Sequence, residues 1–143
     1  MNMTPLTKDE VRDGWHWISA LLESSVRADP LMTMADLYSS LIYGPDLVMR
    51  VHGWADGVMV FEVTGDGVLW VKYAAGRVLG GPKARLVAIR ENMADIEAVA
   101  QSIGCSEVRV CGRDWHSVLT DYELIADAPE PNLLRKILMK EAA

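Results

Sequence analysis

Cysteine is scarce in this chain: Cys105 and Cys111 are the only two, with no partner pair beside them. A structural zinc site needs ligands in paired spacing, and neither these cysteines nor His16, His52 and His116 supply it, so no metal is expected. Long apolar runs are also missing. None approaches the roughly 20 residues that span a bilayer. Residues 1–13 are polar, carry both charge signs and lack the basic-then-apolar order of a secretory signal. The cytosol is therefore the expected location, where both thiols stay reduced. Basic residues are the minority charge, 14 Lys and Arg against 20 Asp and Glu, for a net charge of −6. That balance excludes a general nucleic-acid or anionic-membrane binder, which needs clustered positive charge. There is no serine-nucleophile elbow, no Walker loop, no internal repeat and no low-complexity stretch.

What remains is a chain of 143 residues, half of them hydrophobic, a size and composition that suit one domain with one core. Thr7-Lys8-Asp9-Glu10 reads as a capping box, and Val11, Trp15, Ile18, Leu22 and Val26 follow at helical spacing. The helix is expected over 8–28, ending before Asp29-Pro30. Thr33 with Asp36 marks a second, shorter helix, closed by Gly44-Pro45. Three strands follow: Leu47 to His52, Val58 to Thr64 and Val68 to Tyr73, separated by turns at Asp56-Gly57 and Gly65-Asp66-Gly67. In the second, Val58, Val60 and Glu62 share one face, and Met59, Phe61 and Val63 the other. In the third, Leu69, Val71 and Tyr73 share a face. Ala74 to Pro82 reads as a loop, and Leu86, Ile89, Met93, Ile96, Ala100 and Ile103 carry a helix over 83–103. A short strand at Glu107 to Cys111, a short helix at Arg113 to Asp121, a strand at Tyr122 to Ala126 and a tail over 130–141, read as a helix that Asn132 can cap with a strand as the alternative, complete the expected order.

Hairpin-linked strands followed by a helical crossover require a mixed, mostly antiparallel sheet with helices on both faces, an α/β (α+β) fold. Lys72, Arg77, Lys83, Arg85 and Arg90 gather in one stretch of this acidic chain, which suits either an anionic small ligand or a solvated helix face. Gly80-Gly81-Pro82 allows two readings as well. Glycines let backbone approach a diphosphate, and a helix start offers free N–H groups; alternatively the segment is a plain loop with a helix-starting proline. Trp54, with Met1, Met3, Met32 and Met34, suggests a contact surface for another chain or a second copy of this one, against burial in the core.

At residues 68–125 the order and the residues resemble a GNAT N-acetyltransferase, and more loosely 8–126 do so. In that family a loop of pattern Q/R-x-x-G-x-G/A joins the last antiparallel strand to the main helix. Arg77-Val78-Leu79-Gly80-Gly81-Pro82 stands at that place, with Pro82 where the family has Gly or Ala. The resemblance implies a single GNAT-like domain over 1–143, with its core at 8–126, that binds acetyl-CoA and acetylates an amine. Arg77, Gly80 and Gly81 would hold the pyrophosphate, and a backbone N–H near Val71 to Tyr73 would polarise the thioester carbonyl. Tyr122 stands where many GNAT proteins carry the tyrosine that protonates the departing thiolate; otherwise it is a core tyrosine with its hydroxyl at the surface. The family's Gly-Phe after this tyrosine is replaced by Glu123-Leu124-Ile125. No strand is evident ahead of Thr7. Amine acetylation also needs the amine neutral, and Glu62, acting through a water, is the base candidate beside that site, or else a solvent-facing strand glutamate. Gly104-Cys105 followed by Gly112-Arg113-Asp114-Trp115 resembles short GNAT-like proteins encoded by tailed bacteriophages. That likeness implies the alternative of a non-catalytic structural or interaction role, in host cytoplasm or virion.

Overall fold

Thr7 opens the helical layer by the reciprocal bonds its sequence calls for: the Glu10 N–H donates to Thr7 Oγ1, and the Thr7 N–H to Glu10 Oε1, each at 3.1 Å. The computed structural model describes residues 3–52, 56–77, 79–111 and 115–138. The expected helix over 8–28 is two, α1 (Lys8–Asp13) and α2 (Trp15–Arg27), broken at Gly14. Trp17 folds back over that glycine so closely that a Cβ there would lie 2.5 Å from its indole Nε1. Thr33 caps α3 (Met34–Tyr43), accepting from the Asp36 N–H at 3.1 Å. The other end of α3 is tied by Lys8, whose Nζ donates to the carbonyls of Leu41, Gly44 and Asp46.

The sheet has seven strands in the order β1-β2-β3-β4-β5-β7-β6. They are β1 (Met3–Pro5), β2 (Leu47–Val51), β3 (Asp56–Val63), β4 (Val68–Arg77), β5 (Glu107–Val110), β6 (Glu123–Leu124) and β7 (Leu134–Ile137). Only β4 and β5 run parallel, joined by the crossover helix α4 (Gly81–Ser102). Helices α1–α3 cover one face over Val48, Val58 and Val60, and α4 covers the other over Phe61, Leu69 and Val108. The mixed, mostly antiparallel sheet with helices on both faces is thus the observed fold. No helix of the described residues is long and apolar enough to cross a membrane.

Several expectations are corrected. A strand does precede Thr7: β1 pairs with β2 and buries Met3, too short to show a period in sequence. Met3 therefore belongs to the core, and Trp15, Trp17, Met32 and Met34 pack against the α1–α3 cluster, so they do not form a free contact surface; Met1 and Trp54 lie outside the described residues. Asp56-Gly57 is strand, paired with Arg77 and Gly76, so Ala74 to Arg77 is strand too. The expected helix at 113–121 is, over its described part, a run of turns closed by Leu119 N–H to Trp115 C=O at 2.7 Å and Tyr122 N–H to Leu119 C=O at 3.0 Å; residues 112–114 lie outside the described residues. The tail is no helix. Leu133, Leu134, Ile137 and Leu138 fit either period, but Asn132 has φ 53°, whereas a helix cap needs extended backbone. The chain therefore turns back and β7 inserts between β5 and β6.

Candidate active site

The parallel pair β4 and β5 holds together only from Val68 to Val71 on β4, opposite Glu107 to Val110. Beyond Val71, β4 runs on to Arg77 against β3, and among the described residues its other edge from Lys72 to Arg77 has no strand partner. At the end of this open edge Gly80 and Gly81 have φ of 102° and 86°, a region open to glycine and costly for other residues. They start a helix of 22 residues that no side chain caps, and Pro82 falls in the first turn, where a missing N–H breaks no helical bond. Nothing lies within 4 Å of a Cβ built on Gly81. Among the described residues, Arg77, Lys83 and Arg85 have no bonded side-chain partner. The other two cations of the sequence cluster are used elsewhere, Lys72 inside the protein and Arg90 on the Val118 carbonyl.

Where the two strands part, β4 carries a bulge. Val60 pairs with Tyr73 and Phe61 with Val71, leaving Lys72 as the extra residue. One inserted residue reverses the alternation. Leu69 and Val71 stay on the α4 face, and Tyr73 moves to the α1–α3 face, not the shared face expected from period two. The Lys72 ammonium reaches the buried Asp46 carboxylate at 3.0 Å, which also accepts from Ser40 Oγ at 2.8 Å, and Glu62 Oε2 stands 3.8 Å from the same ammonium. Tyr73 donates its hydroxyl to Asp29 Oδ2 at 3.0 Å. Burial first, then the bond to Asp29 and the charge on that carboxylate, push the Tyr73 phenol well above its ordinary pKa. Burial, then Glu130 and Asp29, likewise raise the Cys111 thiol at the end of β5. Both groups hold their protons at neutral pH.

Tyr122 sits on the opposite face. It is buried, donating its hydroxyl to Glu97 Oε2 of α4 at 3.3 Å, with the Lys136 ammonium 5.8 Å from its ring centre. Burial and the Glu97 charge raise its pKa strongly. Lys136 also meets Asp121 at 2.7 Å. That hydrogen bond holds the Asp121 carboxyl below its usual range. Burial alone would lower the Lys136 ammonium, but its bonds to Asp121 and Glu97 outweigh burial and raise it. The sign follows. Asp121 contributes stability above the ordinary carboxylate pKa of about 4 and loses it as pH falls through its lowered value. Lys136 contributes below about 10.5 and loses it as pH rises through its raised value. Lys136→Met is expected to lower unfolding free energy by about 1 kcal/mol at pH 7, given the exposure of Asp121. In urea titrations the difference from the native chain should shrink below about pH 4; a difference unchanged across that range would refute the assignment.

Of the residues singled out in the sequence, Val71, Tyr73 and Arg77 follow one another on β4, Val71 and Tyr73 on opposite faces, Gly80 and Gly81 lie past its end, and Glu62 stands beside its bulge. Tyr122 stands apart on the α4 face. Asp29, Asp46 and Cys111 belong to the same cluster but are silent in sequence: Asp29 reads as a helix stop, Asp46 follows a Gly-Pro break, and Cys111 has no ligand spacing. Among the described residues no group of three or more His, Cys, Asp or Glu is placed to hold a metal.

No family model matches the chain, and no curated protein matches it in sequence. Solved structures match its fold. An aminoglycoside 6'-acetyltransferase type Ii aligns with a TM-score of 0.72 at 9% identity, over 99% of this chain and 100% of that one. GCN5 of Tetrahymena aligns at 0.64 and 12%, over 99% of each. The N-acetylglutamate synthase of Neisseria gonorrhoeae, solved with coenzyme A and N-acetyl-glutamate, aligns at 0.61 and 11%, over 89% of this chain and 33% of that one. This chain has the fold of the GNAT N-acetyltransferases. At such identities the likeness is one of fold, and it lends no support to a phage origin.

Proposed function

We propose that this chain is a cytosolic acyltransferase that binds acetyl-CoA and acetylates an amine. The observation that carries the reading is the open edge of β4 ending in two left-handed glycines at an uncapped helix start, with Arg77 before it and Lys83 and Arg85 in the first turns after it, all three without a bonded partner among the described residues. An anion of diphosphate shape fits such a place, since free N–H groups and the helix dipole both favour negative charge. Arg77, Gly80 and Gly81 bind the diphosphate, and the β4 edge back to Val71 orients the arm. When bound, the coenzyme supplies an acetyl thioester. A main-chain N–H between Val71 and Tyr73 donates to the thioester oxygen. Glu62, through a water, accepts the proton of the amine, and its nearness to Lys72 at the bulge suits that place.

Two tyrosines hold a proton for the leaving thiolate. We assign the task to Tyr73 because it lies on β4 one residue from the bulge, whereas Tyr122 lies on the far face of the sheet; each hydroxyl has a carboxylate partner, Asp29 and Glu97 respectively. Tyr73→Phe is expected to lower kcat by about a hundredfold with the KM for acetyl-CoA little changed. Tyr122→Phe should cost about 1 kcal/mol of stability and leave kcat near native. The reverse pattern would return the acid role to Tyr122.

The first test is binding. Acetyl-CoA at a hundred times its Kd adds about 2.7 kcal/mol and should raise the melting temperature by several degrees; no rise at millimolar ligand would end the cofactor reading. The engagement of both tyrosine hydroxyls by carboxylates, together with Pro82, favours a second reading, a GNAT-fold protein without catalysis that acts by contacting another chain. Ligand-induced stabilisation without turnover on any amine would favour it.

A further inference from the structure

The first half of α4 is not packed as the second half is. Gly81 to Glu91 contribute no buried side chain, and Leu86 and Val87 stand exposed, 38% and 52%. From Asn92 onward the helix is seated, with Met93, Ile96, Val99 and Ala100 buried. Asn92 opens this seated part. It is only 3% exposed, and its Nδ2 is a buried side-chain donor without a hydrogen-bond partner among the described residues. Such a donor costs about 1–3 kcal/mol, and a leucine of similar size would avoid the loss.

Its height in the fold is informative. Asn92 lies about 16 Å along α4 from Gly81, at ~1.5 Å per residue. The crossover helix runs back antiparallel to β4, and the same distance back along β4 from Arg77, at ~3.3 Å per residue, reaches Lys72. Asn92 is thus level with the bulge where β4 and β5 part. It shares the sheet-facing stripe of α4 with Ile89, Met93 and Ile96, which rest on the core beneath. An extended arm entering at Gly80 and Gly81 and following the open edge of β4 would end at this level.

Building on the acetyl-CoA reading above, we propose that Asn92 is a ligand-binding residue whose side-chain amide donates to a carbonyl oxygen of the acyl-pantetheine arm. The empty donor in the free protein is kept for that contact. An arm amide is the chemistry that satisfies it: a carbonyl acceptor on a largely apolar chain, which also covers the exposed Leu86.

Asn92→Leu tests this with two probes, acetyl-CoA and adenosine 3',5'-bisphosphate, which lacks the arm. Calorimetric titration should give acetyl-CoA affinity about tenfold weaker than native, with bisphosphate affinity unchanged. The ligand-free variant should melt about 3 °C higher, since a buried donor without a partner has been removed. Equal acetyl-CoA affinity in native and variant chains overturns the proposal, and so does joint loss of both probes, which would report a disturbed helix. A ligand-free variant that melts lower also overturns it. A native chain that binds neither probe would instead bring down the cofactor reading itself.

Discussion

Gly80→Glu is expected to erase the rise in melting temperature that acetyl-CoA gives the native chain, with affinity reduced at least about a hundredfold. The substitution acts twice. The new carboxylate occupies the N-terminus of α4, where the helix dipole and the free N–H groups would otherwise meet the diphosphate. Its Cβ would also sit at φ 102° and 3.0 Å from the Ala84 Cβ, which costs about 1–2 kcal/mol of stability. The second effect could mimic the first if the variant unfolded, so Gly81→Glu is the companion: a Cβ there meets nothing within 4 Å. Both variants should lose the ligand response, measured by thermal shift and calorimetry; both should melt lower without ligand because both glycines have positive φ, and Gly80→Glu the more so for its added contact with Ala84. A full response in Gly81→Glu would show that the anion does not sit at this turn.

Lys72→Met should be the most destabilising single change at the cluster, by about 3 kcal/mol, or roughly 10 °C in melting temperature. Asp46 is almost wholly buried, and its carboxylate is held by two groups, the Lys72 ammonium and the Ser40 hydroxyl. Removing the cation leaves a buried negative charge with one hydroxyl donor. Asp46→Asn should cost less, because an amide oxygen still accepts from Ser40 and no charge is stranded. The double variant Lys72→Met with Asp46→Asn should be more stable than Lys72→Met alone, a coupling that a denaturant-based double-mutant cycle reads directly. Equal losses for the two single variants, adding without coupling, would mean the pair does not interact in the folded chain.

Much of this architecture was legible in the residues. The caps at Thr7 and Thr33, the alternation through Val58 to Phe61, the turn at Gly65-Asp66-Gly67 and the long helix after Gly80 each follow from local chemistry, and the structure has them. The elements misread are those decided by distant partners. Asn132, Leu133 and Leu134 fit a capped helix as well as a strand, and the open edge of β5 selects the strand. The two halves of the first helix part because Trp17 lies over Gly14, a contact no periodicity reports.

The site divides the same way. The glycines and proline after Arg77 mark a strand-to-helix junction in sequence, and the structure places Arg77 at the end of β4 and Gly80 and Gly81 at the start of α4. Tyr73 was placed on the wrong face because a bulge inserts one residue into the alternation, and nothing in Val71-Lys72-Tyr73 marks it. Asp29 and Asp46 come from the connections that bracket α3, and only the folded chain brings them beside β4. Asn92 reads in sequence as an ordinary polar position on a long helix. Its burial without a partner is visible only in three dimensions.

The place of β7 has a consequence for how the chain is made. It follows both of its neighbours, β5 and β6, in sequence, yet it lies between them in the sheet. During synthesis β5 therefore waits with a bare edge while more than twenty further residues emerge, and β6 has nothing to join until Ile137 leaves the ribosome. Such late, non-local closure slows folding and leaves a hydrophobic strand open to wrong partners. A nascent chain stalled before Leu134 would carry its glycine turn and crossover helix but lack the strand that seals β5 against aggregation.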